Sequence, residues 1–380
     1  MVELKTLEQI DWDFAESTTN SVTHAIHPYP AKFIPQIPHH FIQQLSKVGD
    51  IIYDPFLGSG TTAVEANILG RDAIGNDVNE LAVLISKVKT TPISLKKLIS
   101  LDSILNRIFS RINLLHSGKN KILVKPDIIN LEAWFETYVI DELVIIKDEI
   151  ANLSDKKLRD FCHVALSGII VNVSKQDSDT RYVRVEKSIK HFDTFNKFSN
   201  QLSKLRKAMV SSSNILKNGK SHFKVADTRN ENIFKENSAN LSVTSPPYPN
   251  AYDYHLYHKY RLFWLGMNPQ RLRKLEIGAH ADYSKKNGPD EFDFMKDMEK
   301  CFLNTSKILT KGSYFVLVMG DSILKGRNIC NNEILKLAAK KTPFKFVNEF
   351  SRNLKLSKKS FNPKIGNIKT EKIVIFENLK

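Results

Sequence analysis

Two short stretches carry residue types that could do chemistry. The first is Asp54-Pro55-Phe56-Leu57-Gly58-Ser59-Gly60-Thr61-Thr62. Gly58 and Gly60 have no Cβ, so the backbone can bend sharply and admit a bulky ligand against bare peptide. The run has Thr61 and Thr62 where a phosphate loop has Lys, and it lacks the G-x-G-x-x-G spacing of dinucleotide sites. Asp54, directly before the turn, suits a cationic, amine-bearing ligand better than a pyrophosphate. The second stretch is Ser245-Pro246-Pro247-Tyr248. Its two prolines remove two N–H donors and stiffen the chain, so carbonyls dominate the local surface. Such a turn can accept the hydrogens of an exocyclic amino group. Tyr248 can stack on a ring and moderate positive charge developing beside it.

Each stretch needs a strand to deliver it. Ile51-Ile52-Tyr53 precedes the glycine turn and the Ala-rich run Ala63–Leu69 follows it. That order reads as strand, tight loop, helix, the opening unit of a doubly wound α/β sheet whose ligands sit at the carboxyl ends of strands. Arg71–Asp77 reads as a second strand. Asp77 at its end can accept hydrogen bonds from ribose hydroxyls, or can cap the helix starting near Asn79. His222–Asp227, Leu241–Thr244, Tyr314–Met319, Phe344–Val347 and Lys372–Phe376 complete a seven-stranded sheet with helical crossovers.

Residues 91–221 break that rhythm with apolar residues at helical spacing, such as Leu98, Leu105, Ile108 and Ile112, and read as a large helical insertion. Helices are expected from Leu131 to Leu153, Lys157 to Val173 and Phe195 to Ile215. Between them lies a polar patch, 174–184, whose Lys175, Arg181 and Arg184 could meet phosphates or base edges, or could form a solvated loop. Upstream, residues 1–23 read as a loosely packed polar lead-in. Pro28, Pro30 and Pro35 then hold an extended segment that presents Tyr29, Lys32 and Phe33 in fixed directions, as a lid would.

Composition narrows the partners. The 380 residues can bury a large core, and 56 Lys+Arg against 41 Asp+Glu leave a formal charge of +15, which favours a polyanion such as nucleic acid. Cys162, Cys301 and Cys330 are scattered and odd in number, so no disulfide framework or zinc knuckle is expected, which fits a reducing cytoplasm. His24, His27, His39 and His40 have no Cys or carboxylate at ligand spacing and read as surface or loop histidines, without metal. No apolar run reaches the roughly 18 residues of a membrane span.

The Asp54–Thr62 stretch resembles motif I of the amino-methylating DNA methyltransferases, which use S-adenosylmethionine, and Tyr29–Phe33 lies in a segment similar to their motif X. The resemblance implies the cofactor on Tyr29, Lys32, Phe33, Asp54, Pro55, Phe56, Gly58, Ser59, Gly60, Thr61 and Thr62, its ribose on Asp77 and its adenine amino group on Asp227. Ser-Pro-Pro-Tyr resembles motif IV of the cytosine-N4 enzymes, with Asp or Asn more typical first in adenine-N6 enzymes. Ser245, Pro246, Pro247 and Tyr248 are then the catalytic set acting on a flipped base, with Tyr254 and Lys259 bracing the extruded nucleotide. The resemblance covers 24–90 and 222–380, the expected catalytic domain, in an order similar to the alpha arrangement.

One departure matters. The interval between Asp227 and Ser245 leaves no room for the target-recognition region usual there. The insertion 91–221 is therefore the first candidate for reading DNA, and 267–290, with Arg271 and Arg273, is the second, expected as a mobile loop over DNA. The function implied is cytosine-N4 methylation of double-stranded DNA, as the modification enzyme beside a cognate restriction endonuclease. Adenine-N6 methylation, RNA base methylation and a non-catalytic nucleic-acid-binding module are the alternatives.

Overall fold

The computed structural model describes residues 2–19, 21–118, 124–354 and 370–380. Residues 119–123 of the expected insertion and 355–369 of the expected catalytic segment lie outside them. The strands in chain order are β1 (Ile51–Asp54), β2 (Asp72–Asp77), β3 (Gln176–Ser178), β4 (Arg181–Arg184), β5 (Ser221–Val225), β6 (Ala239–Thr244), β7 (Leu309–Gly320), β8 (Ser322–Leu324), β9 (Arg327–Ile329), β10 (Phe344–Asn353) and β11 (Thr370–Asn378). Seven of them form one sheet in the order β10-β11-β7-β6-β1-β2-β5, while β3-β4 and β8-β9 are separate hairpins. Every neighbouring pair in the large sheet is parallel except those made by β11, which runs antiparallel to β7 and β10. This is a doubly wound, mostly parallel α/β sheet, with all seven expected strands present.

The period-2 geometry of the strands sorts their side chains between two cores. On β7, Val316 and Val318 join one apolar cluster with Ile52, Leu241 and Phe41, whereas Phe315, Leu317 and Met319 join another with Tyr53, Met298 and Leu335. The first cluster is covered by helices Gln36–Leu45 and Thr61–Ile68, the second by Glu291–Ile308 and Asn331–Ala339. Burial on both faces is the reason the strands read as continuous apolar runs.

Several expectations change. The lead-in is packed: Val2–Leu7 is a helix, and Trp12, 4% exposed, stacks on Phe41 and Phe350 with its indole N–H on the Leu7 carbonyl. Two apolar anchors outweigh the polar composition of that segment. His24 and His27 are buried. The pattern over 131–153 is split, with a short helix Leu131–Trp134, an extended Phe135, and a second helix Thr137–Ala151. The 267–290 stretch is ordered, with helices Pro269–Leu275 and His280–Tyr283 and a buried Glu276 that binds the Tyr254 N–H and the His255 imidazole. The patch at 174–184 is the β3-β4 hairpin.

The insertion shares its core with the sheet's own elements. Leu143, Phe161, Ile169 and Phe198 lie in one apolar cluster with Ile85 and Val88 of helix Glu80–Thr90 and with Tyr260 and Trp264 of helix Lys259–Trp264. Arg261 crosses this junction fully buried. Its guanidinium donates to the Ser167 carbonyl at 2.9 Å, meets His258 Nδ1 at 3.3 Å and pairs with Asp179. Arg261→Met removes this donor from the buried Ser167 carbonyl and His258 ring and from the half-exposed Asp179, and is expected to lower stability by about 1–3 kcal/mol. A urea midpoint unchanged from wild type would contradict this.

Candidate active site

The glycine turn and the proline turn leave adjacent strands on the same side of the sheet. β1 pairs in parallel with β6, Ile52 opposite Leu241 and Tyr53 opposite Ser242. At the carboxyl ends the Thr244 hydroxyl donates to Asp54 Oδ1 at 2.6 Å, and the Thr62 hydroxyl donates to the Val243 carbonyl at 3.0 Å. Asp54 thus ties the glycine loop of the one strand to the residue immediately before Ser245 on the other. The Phe56 N–H also donates to Asp54 Oδ1, fixing the bend of the turn.

The loop itself is cradled from β2. The Gly58 N–H and the Asn79 N–H each donate to one oxygen of Asp77, both at 2.8 Å. The N-cap of helix Glu80–Thr90 is Asn79, whose side chain accepts from the Leu81 N–H, so Asp77 is not that cap. Gly58 and Gly60 have φ of +47° and +76°, and Gly60 caps helix Thr61–Ile68 in the left-handed region. A Cβ on Gly60 would lie 2.7 Å from Ser86 Oγ, which itself donates to the Gly58 carbonyl. Bare backbone is therefore required by close packing from below as well as by conformation.

Tyr29 reaches this loop from the proline-rich segment. A Cβ on Gly58 would lie 3.8 Å from its ring, its hydroxyl accepts from Asn79 Nδ2, and its ring stacks on Tyr254 at 5.8 Å. The segment is held by buried Glu65, which binds His24 at 2.6 Å and His39 at 2.7 Å. Burial alone would raise the Glu65 pKa, but the two imidazole hydrogen bonds outweigh it and hold the carboxyl below its usual range. Phe33 packs instead into the Phe41 cluster, and the Lys32 ammonium donates to the His24 carbonyl. Both act here as struts of the segment.

Asp227 is engaged: both its oxygens accept from Arg229, whose guanidinium also meets Asp297 and the Leu275 carbonyl. It is not a free acceptor in this arrangement. Around the proline turn, Ser245, Pro247 and Tyr248 are partly exposed. The Tyr248 hydroxyl donates to Glu371 Oε1 at 3.3 Å, an oxygen on β11, while Arg352 donates to the other oxygen. Burial pushes the Tyr248 phenol well above its usual range and the Glu371 charge adds to that, so it stays neutral. Gly278, at φ +77°, abuts the Tyr248 carbonyl so closely that a Cβ would lie 2.6 Å away.

The basic residues divide. Lys175 bridges Glu136 and Glu186, and Lys259 donates to the Tyr182 hydroxyl. Tyr254 lies beneath Tyr29, toward the glycine loop. Arg271 meets Glu80 at 3.3 Å and Arg273 approaches Asp282 at 4.0 Å. Arg181 and Arg184 remain about half exposed on β4. Thr244, Ser86, Glu276 and Glu371 carried no signal in the sequence, since their roles depend on partners from distant elements. Asn79 alone was findable, as a polar residue opening an apolar helical run.

Among the described residues one group could hold a metal ion: His116, Glu142 and His191, with ligand atoms within 4.8 Å of one another. The Glu142 oxygens already accept from the Phe192 and Phe195 N–H groups at the start of helix Asp193–Ser212 and meet His116. That is a complete set of partners for a buried carboxylate.

The donor set of the glycine loop fits S-adenosylmethionine. Asp54 and Asp77 lie at the two edges of the loop, and Ser59 Oγ is buried with no hydrogen-bond partner among the described residues. Burial raises Asp54 to about 7 and Asp77 to about 6, each opposed by the hydrogen bonds it accepts. A carboxyl whose pKa is raised by folding contributes stability fully below its unfolded value, near 4, and loses that contribution as pH rises through about 7. Asp54→Asn should therefore raise the melting temperature of the ligand-free protein at pH 8, and by less at pH 5. The same variant should weaken S-adenosylmethionine binding in calorimetry at pH 8. A variant less stable at pH 8 than at pH 5, relative to wild type, would show that burial does not control this carboxyl.

Comparison with known proteins bears on the same segments. Residues 4–88 match the family model for the N6/N4 type of DNA methylase. The chain is similar to the type II methyltransferase M.MvaI of Kocuria varians, 27% identical over 93% of this chain and 90% of that one. A 95-residue stretch is 42% identical to the type II methyltransferase M.MjaII of Methanocaldococcus jannaschii, covering 24% of this chain and 18% of that one. A solved S-adenosylmethionine-dependent methyltransferase of Methanosarcina mazei aligns at 11% identity with a TM-score of 0.36, over 93% of this chain and 99% of that one. No helix among the described residues is long and apolar enough to cross a membrane. The matched segment, the type II relatives and the sheet order together support a DNA methyltransferase, and S-adenosylmethionine is its cofactor.

Proposed function

We propose that the chain transfers a methyl group from S-adenosylmethionine to the exocyclic N4 amine of a cytosine flipped out of duplex DNA, as the modification partner of a restriction endonuclease. The observation that carries this reading is the 2.6 Å bond from Thr244 to Asp54, which sets a cofactor loop and a Ser-Pro-Pro-Tyr turn side by side at the ends of paired strands. When bound, the cofactor supplies an electrophilic methyl on a sulfonium.

The protein's part is to make a poor nucleophile reactive. The lone pair of a ring-attached amine is delocalised into the heterocycle. Accepting its two hydrogens at the Ser245 hydroxyl and the Pro246 carbonyl draws the nitrogen toward tetrahedral geometry and localises that pair. Tyr248 offers a neutral ring to the face of the base and disperses the positive charge that develops as the methyl passes from sulfur to nitrogen, the S–CH3 bond breaking to leave a neutral thioether and the nitrogen's surplus proton going to solvent. Holding donor and acceptor in line accounts for most of the barrier lowering in such a transfer. A base inside the stack cannot reach a turn of this shape, so extrusion is part of the reading. Tyr29, Asp54 and Asp77 hold the donor side, with Gly58 to Thr61 beneath it.

Ser in the first position favours cytosine. Adenine-N6 is the second reading, supported by a family model that spans both chemistries. Mass spectrometry of nucleosides from DNA treated with the protein and S-adenosylmethionine is expected to yield N4-methylcytosine. N6-methyladenine in its place would replace the cytosine reading with the adenine one. Tyr248→Ala should cut turnover by about tenfold to a hundredfold, the scale of one lost base–aromatic stack, with cofactor affinity nearly unchanged. Tyr248→Phe, which keeps the ring and removes the hydroxyl's links to Glu371 and the Val318 carbonyl, should keep most of the turnover. Near-wild-type activity of the alanine variant would disprove the assigned base pocket.

A further inference from the structure

We infer that the β3-β4 hairpin is the element that reads target sequence, with Arg181 and Val183 on the face turned to base edges in the major groove and Arg184, on the other face beside Tyr182, reaching round the edge of the ribbon. This rests on the reading of the chain as a DNA methyltransferase and names the part of it that contacts the bases. A two-stranded ribbon is one of the shapes the major groove admits, and arginine paired bidentately to guanine is the commonest specific contact there.

The hairpin is built to be held still from behind. Gln176, 1% exposed, donates from Nε2 to the Ser178 carbonyl at 2.9 Å and to the Tyr257 carbonyl at 3.3 Å. Asp179 at the tip pairs with the fully buried Arg261, and the Lys187 ammonium donates to the Gln176 and Val171 carbonyls. Tyr182 stacks on Trp134 at 4.7 Å and accepts from Lys259. A short ribbon of three and four residues would be marginal alone. Here buried polar anchors fix its register and direction.

What is left outward is distinct in kind. Val183 is 43% exposed, and the Arg181 and Arg184 side chains are about half exposed. Among the described residues their ion-pair partners are Asp177 at 3.6 Å and Glu186 at 3.2 Å, both solvent-accessible, so those pairs are readily exchanged for a base. Guanidinium forks beside an exposed branched methyl match guanine and the thymine methyl respectively. The +15 charge of the chain suits the duplex that would carry them.

The hairpin is also linked to the transfer site by continuous packing. Tyr29 at the glycine loop stacks on Tyr254, Tyr254 meets Tyr252 at 5.7 Å, Tyr252 meets Tyr257 at 6.1 Å, and the Tyr257 carbonyl holds Gln176. The segment that bears this chain begins four residues after Tyr248. Reader and proline turn are thereby joined by an unbroken run of contacts, which favours a defined distance between recognised bases and target base.

The test is a methylome. Wild-type protein, the double variant Arg181→Ala/Arg184→Ala, and Lys47→Ala at the opposite end of β1 are expressed in a bacterial strain free of DNA methylation. Modified positions are mapped by sequencing, and cofactor binding of each purified protein is measured by calorimetry. The expected result is one defined motif for wild type and for Lys47→Ala. The double variant should bind S-adenosylmethionine normally, lose at least about tenfold in turnover at that motif, and accept other bases at one or more of its positions. An unchanged motif would overturn the inference, and that includes a turnover loss spread evenly over all sites, which marks phosphate contact alone. Modified adenine instead of cytosine would sink the cytosine reading while the motif comparison still judges the hairpin. No modified base with any of the three proteins would overturn both.

Discussion

The hydrogen bond from Thr244 to Asp54 is the constraint on which the rest depends. It lies where two parallel strands end, and it couples the turn that follows one to the turn that follows the other. Parallel pairing puts both carboxyl ends on the same side of the sheet, and direct adjacency puts them within one side chain's reach. A carboxylate there is costly to bury, and that burial pushes the Asp54 carboxyl up to about 7. Such a cost persists where the charged group has a function that an apolar residue could not supply.

Around that bond the molecule uses buried polar contacts to aim loops. Glu65 gathers His24 and His39 and so fixes the segment bearing Tyr29. Glu276 holds the Tyr254 N–H and His255, which shapes the stretch after the proline turn. Arg229 joins Asp227, Asp297 and the Leu275 carbonyl, tying the end of β5 to the helices beyond. Apolar packing gives little directional information. A hydrogen bond in a low-dielectric interior specifies both partner and angle, which a loop that must meet a ligand needs.

The insertion belongs to the same frame. Its helices complete an apolar cluster begun by helix Glu80–Thr90 and finished by helix Lys259–Trp264, so the boundaries at residues 90 and 221 do not separate two cores. An element that reads DNA gains from this arrangement. If its core were separate it would move relative to the transfer site, and the spacing between recognised and modified bases would blur.

Much was legible from residue order. Periodicity identified the seven strands, glycines without Cβ marked one tight turn at a strand end, and paired prolines marked the second. These are local consequences of backbone sterics, and need no knowledge of what lies opposite. The buried lead-in, the ordered 267–290 stretch and the engagement of Asp227 by Arg229 were not legible. Each depends on a partner far away in the chain: Phe350 for Trp12, Tyr254 and His255 for Glu276, Asp297 for Arg229. Tertiary structure alone decided that β1 and β6 are neighbours and that Glu371 meets Tyr248, because strand order in a sheet arises from how helices cover its two faces. Sequence determined which residues could bind and which could activate; only the folded sheet determined that they stand together.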